Sequence, residues 1–367
     1  MAEGSTRTTK SPGRPSYCGG KRISKIYCGA TEVIKAYCGE NLSFSPASAG
    51  TTASYSAISS IAFASLTKTG ASITTRQGSG TVGNATTGVI YGGARGGSRY
   101  NDFYKYDVTN SNIALTALTR SGATPAVTRY MGMAGDATTG VIFMGEGSAS
   151  NTAHRYVVAG SAVTLTALTV SGTAPAQAIQ STVGDVNEGL FFGGLTTWPP
   201  RLNDFYKYTV SGNNFTTSTL TKTGASIAAR YGVSLAGDLT SGIVFGGRRS
   251  GGDFNDFYKY DISGSTINIT ALTKVGVSIP AMYGTGIIGD ATNGFLFAGQ
   301  SGSTQSNNVF NYTVAGSTVT LSSVTKTGST PSRRSFPRIV GDSSSGMVWG
   351  GRSGGTEFND FYSYTAT

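Results

Sequence analysis

The stretch "NDFYKYD" occupies residues 101–107. Its first six letters return at 203–208 and 255–260, and as "NDFYSY" at 359–364. Two degenerate copies, "NTAHRY" at 151–156 and "NNVFNY" at 307–312, complete a set of six. A second anchor keeps step with the first. Gly83-Asn84 is followed by Gly135-Asp136, Gly184-Asp185, Gly237-Asp238, Gly289-Asp290 and Gly341-Asp342, at steps of 52, 49, 53, 52 and 52 residues. A fixed period of this length marks one supersecondary unit copied along the chain.

Each unit reads alike. A strand of small residues meets a tight Gly-Asp turn. A short apolar strand follows and ends in an aromatic and usually Gly-Gly, as in Val89-Ile90-Tyr91-Gly92-Gly93. A polar loop then leads into the NDFYKY strand, and a Ser/Gly/Asn turn into a fourth strand such as "INITALT" at 267–273. Four short strands separated by turn chemistry form one antiparallel sheet. Radial repetition of such sheets makes a β-propeller. The last unit stops after its third strand, at Tyr364, while "SAISSIAFASLTKTGAS" at 56–72 carries a fourth-strand register. The reading is an all-β, six-bladed propeller over residues 51–367. The N-terminal strand completes its last blade, hiding two sheet edges.

The paired glycines, the Asn-Asp before an aromatic strand and the Arg after the fourth strand resemble the kelch-repeat family. The fourth strand lacks that family's usual Trp, and the turns are simpler and richer in Thr. The resemblance implies architecture and no single function, because propellers host many; an intracellular kelch-type adaptor is one alternative it leaves open.

Composition agrees with short strands and small turns. Gly reaches 53 residues, and charged residues are only 13%, about half the usual share. No run of eighteen apolar residues exists, so no membrane span is expected. The N-terminus has no apolar h-region, so no secretory signal peptide is expected. The net charge of +10 suits anionic partners, or serves only solubility.

Residues 1–50 have their own rhythm. Tyr17-Cys18-Gly19, Tyr27-Cys28-Gly29 and Tyr37-Cys38-Gly39 recur every ten residues. A few strand-turn units cannot bury a core alone, so Tyr17, Tyr27, Tyr37 and the adjoining Cys18, Cys28 and Cys38 read as a docking module on a partner or on copies of the chain. Units of this form resemble N-terminal modules of tailed-bacteriophage virion proteins. That resemblance implies a tail-fibre or decoration protein, assembled in the host cytoplasm, with other virion proteins as partners. Three cysteines at ten-residue spacing argue against zinc and read as small buried thiols, or as interchain disulfides.

Neither catalysis nor a cofactor is expected. The single His154 replaces the first Tyr of an NDFYKY copy and reads as a strand residue. The acids recur in register, as turn caps do. Binding residues are expected on one face, in the loops after the second strand and those entering the first. Arg95, Arg99, Arg201, Arg248, Arg249 and Arg352 lie in the former; Arg76, Arg129, Arg230 and Arg334 lie in the latter. An arginine fork suits carboxylate or phosphate, and a ring of them suits a host-surface anionic glycan or an acidic surface. The entering-loop arginines have a second reading, as structural residues binding carbonyls. Trp198, in "TTWPPR", stands in an apolar-aromatic loop where it could stack on a sugar. Trp349 aligns with Tyr91, Phe143, Phe192, Phe245 and Phe297, and is expected in the core.

Overall fold

A computed structural model describes residues 58–146, 152–173, 181–194 and 202–367, together with the backbone of four short N-terminal strands. The chain divides into two units, Met1–Ser56 and Ala57–Thr367. In the first, Tyr17–Cys18 pairs antiparallel with Lys21–Arg22, and Lys25–Cys28 with Thr31–Ile34. Tyr17 stands opposite Arg22, and Tyr27 opposite Glu32. Tyr37 and Cys38 lie outside the described residues.

The second unit is built from sheets of one plan. In the first sheet Gly80–Gly83, Thr87–Arg95, Ser98–Thr109 and Asn112–Ala117 pair antiparallel in chain order. The same order recurs up to the sixth sheet, which begins Arg338–Gly341, Ser345–Trp349, Phe361–Ala366. Its fourth strand is Ser60–Ser65, antiparallel to Phe361–Ala366. The six inner strands neighbour one another in cyclic order, and the last, Arg338–Gly341, returns to the first, Gly80–Gly83.

The sequence reading has one omission here. "TKTG" does not continue the outer strand. Thr67–Gly70 crosses to the next sheet and runs parallel to Asn112–Ala117. Thr119–Gly122, Thr221–Gly224, Thr273–Gly276 and Thr325–Gly328 do the same, each on the following sheet. Between the second and third sheets, one long strand, Ala162–Gly172, plays both parts. The closing glycine is required at Gly70. Its φ is +79°, and a Cβ there would meet the Leu115 carbonyl oxygen.

The cores lie between adjacent sheets. One joins Val89, Tyr91 and Phe103 of the first sheet to Ile142, Tyr156 and Leu165 of the second. Trp349 is wholly buried and stacks on Phe361 at 5.2 Å between centroids. The final Tyr of each repeat locks its own sheet. Tyr106, Tyr156, Tyr208, Tyr260, Tyr312 and Tyr364 are buried, and each hydroxyl donates to the carbonyl of the turn Asn or Asp, at 2.6–2.9 Å. Burial pushes these phenols well above their usual range. The same Asn or Asp closes its turn through its side chain: Asp136 Oδ1 accepts the N–H groups of Thr138 and Thr139 at 2.7 and 2.9 Å.

Removing residues 1–66 takes away the fourth strand of the sixth sheet and exposes the edge of Phe361–Ala366. Size-exclusion chromatography and thermal melting should then show aggregation and loss of a cooperative transition. Removing 1–56 should leave both unchanged.

Candidate functional site

The entering-loop arginines divide sharply. Arg76, Arg230 and Arg334 are wholly buried. Arg230 grips Asp256 with both terminal nitrogens, at 2.5 and 2.9 Å, and donates to the Gly246 carbonyl at 2.9 Å. Arg334 grips Asp360 at 2.7 and 2.8 Å and donates to Gly350 at 3.0 Å. Arg76 treats Asp102 and Gly92 in the same way. Each guanidinium is covered by an aromatic ring: Tyr100, Phe254 or Phe358, at 4.4, 3.8 and 4.4 Å. Arg230 and Arg334, expected as ligand-binding residues, are therefore structural clamps with no surface to offer. The Asp of NDFYKY exists to hold them. Where Met282 stands in the arginine's place, the same repeat has Asn308 in place of the Asp. Asp204 takes Lys222 at 2.7 Å.

Arg129 differs. Thr128 occupies the clamp position, one residue earlier, and Arg129 turns outward to Glu146, with contacts of 3.0 and 2.7 Å. Arg99 joins the same carboxylate at 3.0 Å. Burial would raise the Glu146 pKa, but the hydrogen bonds and charges of Arg129 and Arg99 together outweigh it and hold the carboxyl below its usual value.

The loops after the second strand are hairpins more than loops. Arg95 pairs with Ser98, Arg249 with Gly252, and Arg352 with Glu357. Each hairpin also bridges to the entering loop of its own sheet, as in Gln77 to Ala94, Tyr231 to Arg248 and Ser335 to Arg352. Arg95 and Arg249 are exposed; Arg99, Arg248 and Arg352 are half-buried. Arg248 lies 3.5 Å from Asp253 and 4.8 Å from the Tyr283 ring centroid. Trp198 and Arg201 lie outside the described residues.

Inside this rim stands an aromatic collar that the sequence reading missed. Tyr130 meets Phe336 at 5.2 Å, Phe336 meets Tyr283 at 5.6 Å, and Tyr283 meets Tyr231 at 6.0 Å. Tyr130 and Phe336 have φ of +55° and +56°. The matching positions in other sheets are Gly78, Gly232 and Gly284, with φ of +64°, +66° and +60°. A bulky residue in this region costs about 1–3 kcal/mol and points to a use for the side chain. Backbone bonds hold the position: Tyr130 N–H to Gly78 O, Gly284 N–H to Gly232 O and Phe336 N–H to Gly284 O, at 2.7, 2.8 and 2.7 Å. A signal was present in "TRY", "ARY", "AMY" and "RSF", all just before the inner strand.

His154 is a buried strand residue opposite Ile142, and burial lowers its pKa. Among the described residues no three His, Cys, Asp or Glu side chains gather as metal ligands, and no helix is long and apolar enough to cross a membrane.

Residues 183–367 match the family described as the KLHDC2/KLHL20/DRC7 Kelch-repeats domain. The chain belongs to the kelch-repeat family. The solved structure of YjhT superposes with a TM-score of 0.59 at 14% identity, covering 78% of this chain and 94% of that one. At that identity the likeness speaks to the fold alone. No curated protein sequence matches the chain. A kelch β-propeller suggests a protein- or ligand-binding role.

Arg230→Ala leaves Asp256 half-buried without its partner and should cost about 3–5 kcal/mol in denaturant unfolding. Arg249→Ala should change stability by less than about 0.5 kcal/mol.

Proposed function

We propose that this kelch propeller is the non-enzymatic binding module of a tailed-phage virion protein, and that the mouth of the ring takes an acidic host-surface glycan. The observation that carries the proposal is the collar of half-buried Tyr130, Tyr231 and Phe336 packed around the buried Tyr283, beside a rim of arginines. Aromatic faces stack on sugar rings, and guanidinium forks bind carboxylate or sulfate. The rim is unbalanced in charge. Among its described residues, Arg95, Arg99, Arg129, Arg248, Arg249 and Arg352 make six cations against three carboxylates, Glu146, Asp253 and Glu357. Arg248 and Arg249 are the preferred contacts, because they stand beside the collar on a hairpin of their own.

The N-terminal unit takes the docking role in this proposal. Its short antiparallel pairs recur with the ten-residue spacing of Tyr-Cys-Gly. Such pairs gain a core only against another surface, here other virion proteins or further copies of the chain.

The test is saturable binding of the labelled full-length protein to intact bacterial host cells, titrated with salt. Binding should weaken as salt rises and fall about tenfold or more in the Arg248→Glu, Arg249→Glu double variant. Equal binding by the double variant would end the proposal for the rim. Absence of cell binding by a protein still fixed on purified particles would make it a decoration protein instead.

A further inference from the structure

The first position of each inner strand holds a small residue, with one exception. Gly80, Gly132, Ser181, Ser234 and Gly286 stand at the matching places, and the sixth sheet has Arg338. Four of these positions, Gly80, Ser181, Gly286 and Arg338, line one cavity. It has a volume of about 140 Å³ and is lined by residues from all six inner strands. A water needs only about 10–15 Å³ measured in this way, so the space takes a polyatomic ligand.

The lining has a definite chemistry. Among the described residues that line it, Arg338 is the charged one and none is a carboxylate. Three threonines share the wall. Thr182 Oγ1 and Thr285 Oγ1 are buried with no hydrogen-bond partner among the described residues. Thr81 Oγ1 accepts the indole N–H of Trp349 at 2.9 Å, which leaves its own proton to donate. Buried hydroxyls are rarely unpartnered, and the threonines that carry these two line the same cavity as Arg338. Burial brings the Arg338 pKa down to about 10, against an opposing effect of Tyr130, so the group is cationic at neutral pH.

We propose that the axial cavity binds a small oxyanion, phosphate or sulfate in shape and charge, through Arg338 and the hydroxyls of Thr81, Thr182 and Thr285. An oxyanion accepts from a planar fork and from hydroxyls at once. The site is separate from the rim arginines. Phe336 belongs to both the cavity wall and the collar, so the anion lies beneath the aromatic rings.

The experiment is calorimetric titration of the full-length protein with inorganic phosphate and with sulfate, at constant ionic strength set by chloride. Thermal melting in the same buffers gives a second readout. Wild type should bind one equivalent and melt higher in phosphate or sulfate. Arg338→Gly adopts the residue found at three matching positions, so it should fold normally and lose affinity by about tenfold or more. Thr182→Val and Thr285→Val keep the shape and should each weaken binding by about two- to tenfold. The Arg248→Glu, Arg249→Glu double variant should bind phosphate as wild type does. The proposal is overturned by an absence of saturable binding to wild type, by undiminished binding in a folded Arg338→Gly variant, or by loss of binding in the double variant.

Discussion

One side-chain amide, repeated around the ring, joins one sheet to the next at five seams among the described residues. The Asn that opens NDFYKY donates from Nδ2 to a carbonyl in the entering loop of the following sheet. Asn101 reaches Pro125, Asn203 reaches Ile227, Asn255 reaches Ile279, and Asn307 reaches Pro331, at 2.8–3.2 Å. Asn359 reaches Ile73 at 2.9 Å, from the last sheet back to the first. The backbone carbonyl of the same Asn receives a cation from the TKTG strand: Lys68, Lys222, Lys274, Lys326 or, in one copy, Arg120. Neighbouring sheets are thus fixed at the edge of the mouth, where the hairpins and collar are built.

The other letters of the motif follow from that constraint. Asp holds the buried arginine, whose fork and aromatic cover stiffen the entering loop. Phe fills the seam between sheets: Phe103 lies 4.5 Å from Tyr91 and 6.2 Å from Tyr156 of the next sheet. The last Tyr fastens the turn at the far end. A charged pair in such a place contributes less to net stability than its geometry suggests, because both ions lose water. Its value lies in register. With the entering loop pinned by Arg230 or Arg334, the next residues can be spent on Tyr231, Phe336 and the channel. The strained φ of Tyr130 and Phe336 is held by the backbone bonds around the mouth.

The architecture was legible because spacing survives when residues change. The Gly-Asp turns, the place of Trp349 in the core and the fourth-strand register of Ser60–Ser65 follow from alignment of the chain with itself. The parallel TKTG strand was hidden, since an exposed Thr-Lys-Thr reads the same in an outer strand or just beyond it. Burial of Arg230 and Arg334 was hidden for another reason. Arginine gives no sequence signal of depth, and its partner Asp stands 26 residues away. Arg129 shares the entering loop with the clamp position but stands one residue beyond it, where Thr128 takes the clamp's place, and sequence alone groups it with Arg76, Arg230 and Arg334. The collar was missed because aromatics were attributed to packing, and because a positive φ at Tyr130 or Phe336 cannot be read from residue type. Arg338 becomes visible only once the inner strands are superposed and its five counterparts prove to be Gly or Ser.

The account rests on the mouth as the face that meets a partner. Hydrogen–deuterium exchange of the full-length protein, with and without a sulfated oligosaccharide, tests that most directly. The account predicts ligand-induced protection in segments 128–131, 230–233, 282–285 and 334–338 and in the hairpin at 248–253. Protection confined to the Gly-Asp turns at the opposite end of the sheets, or none at a concentration that saturates binding, would contradict it.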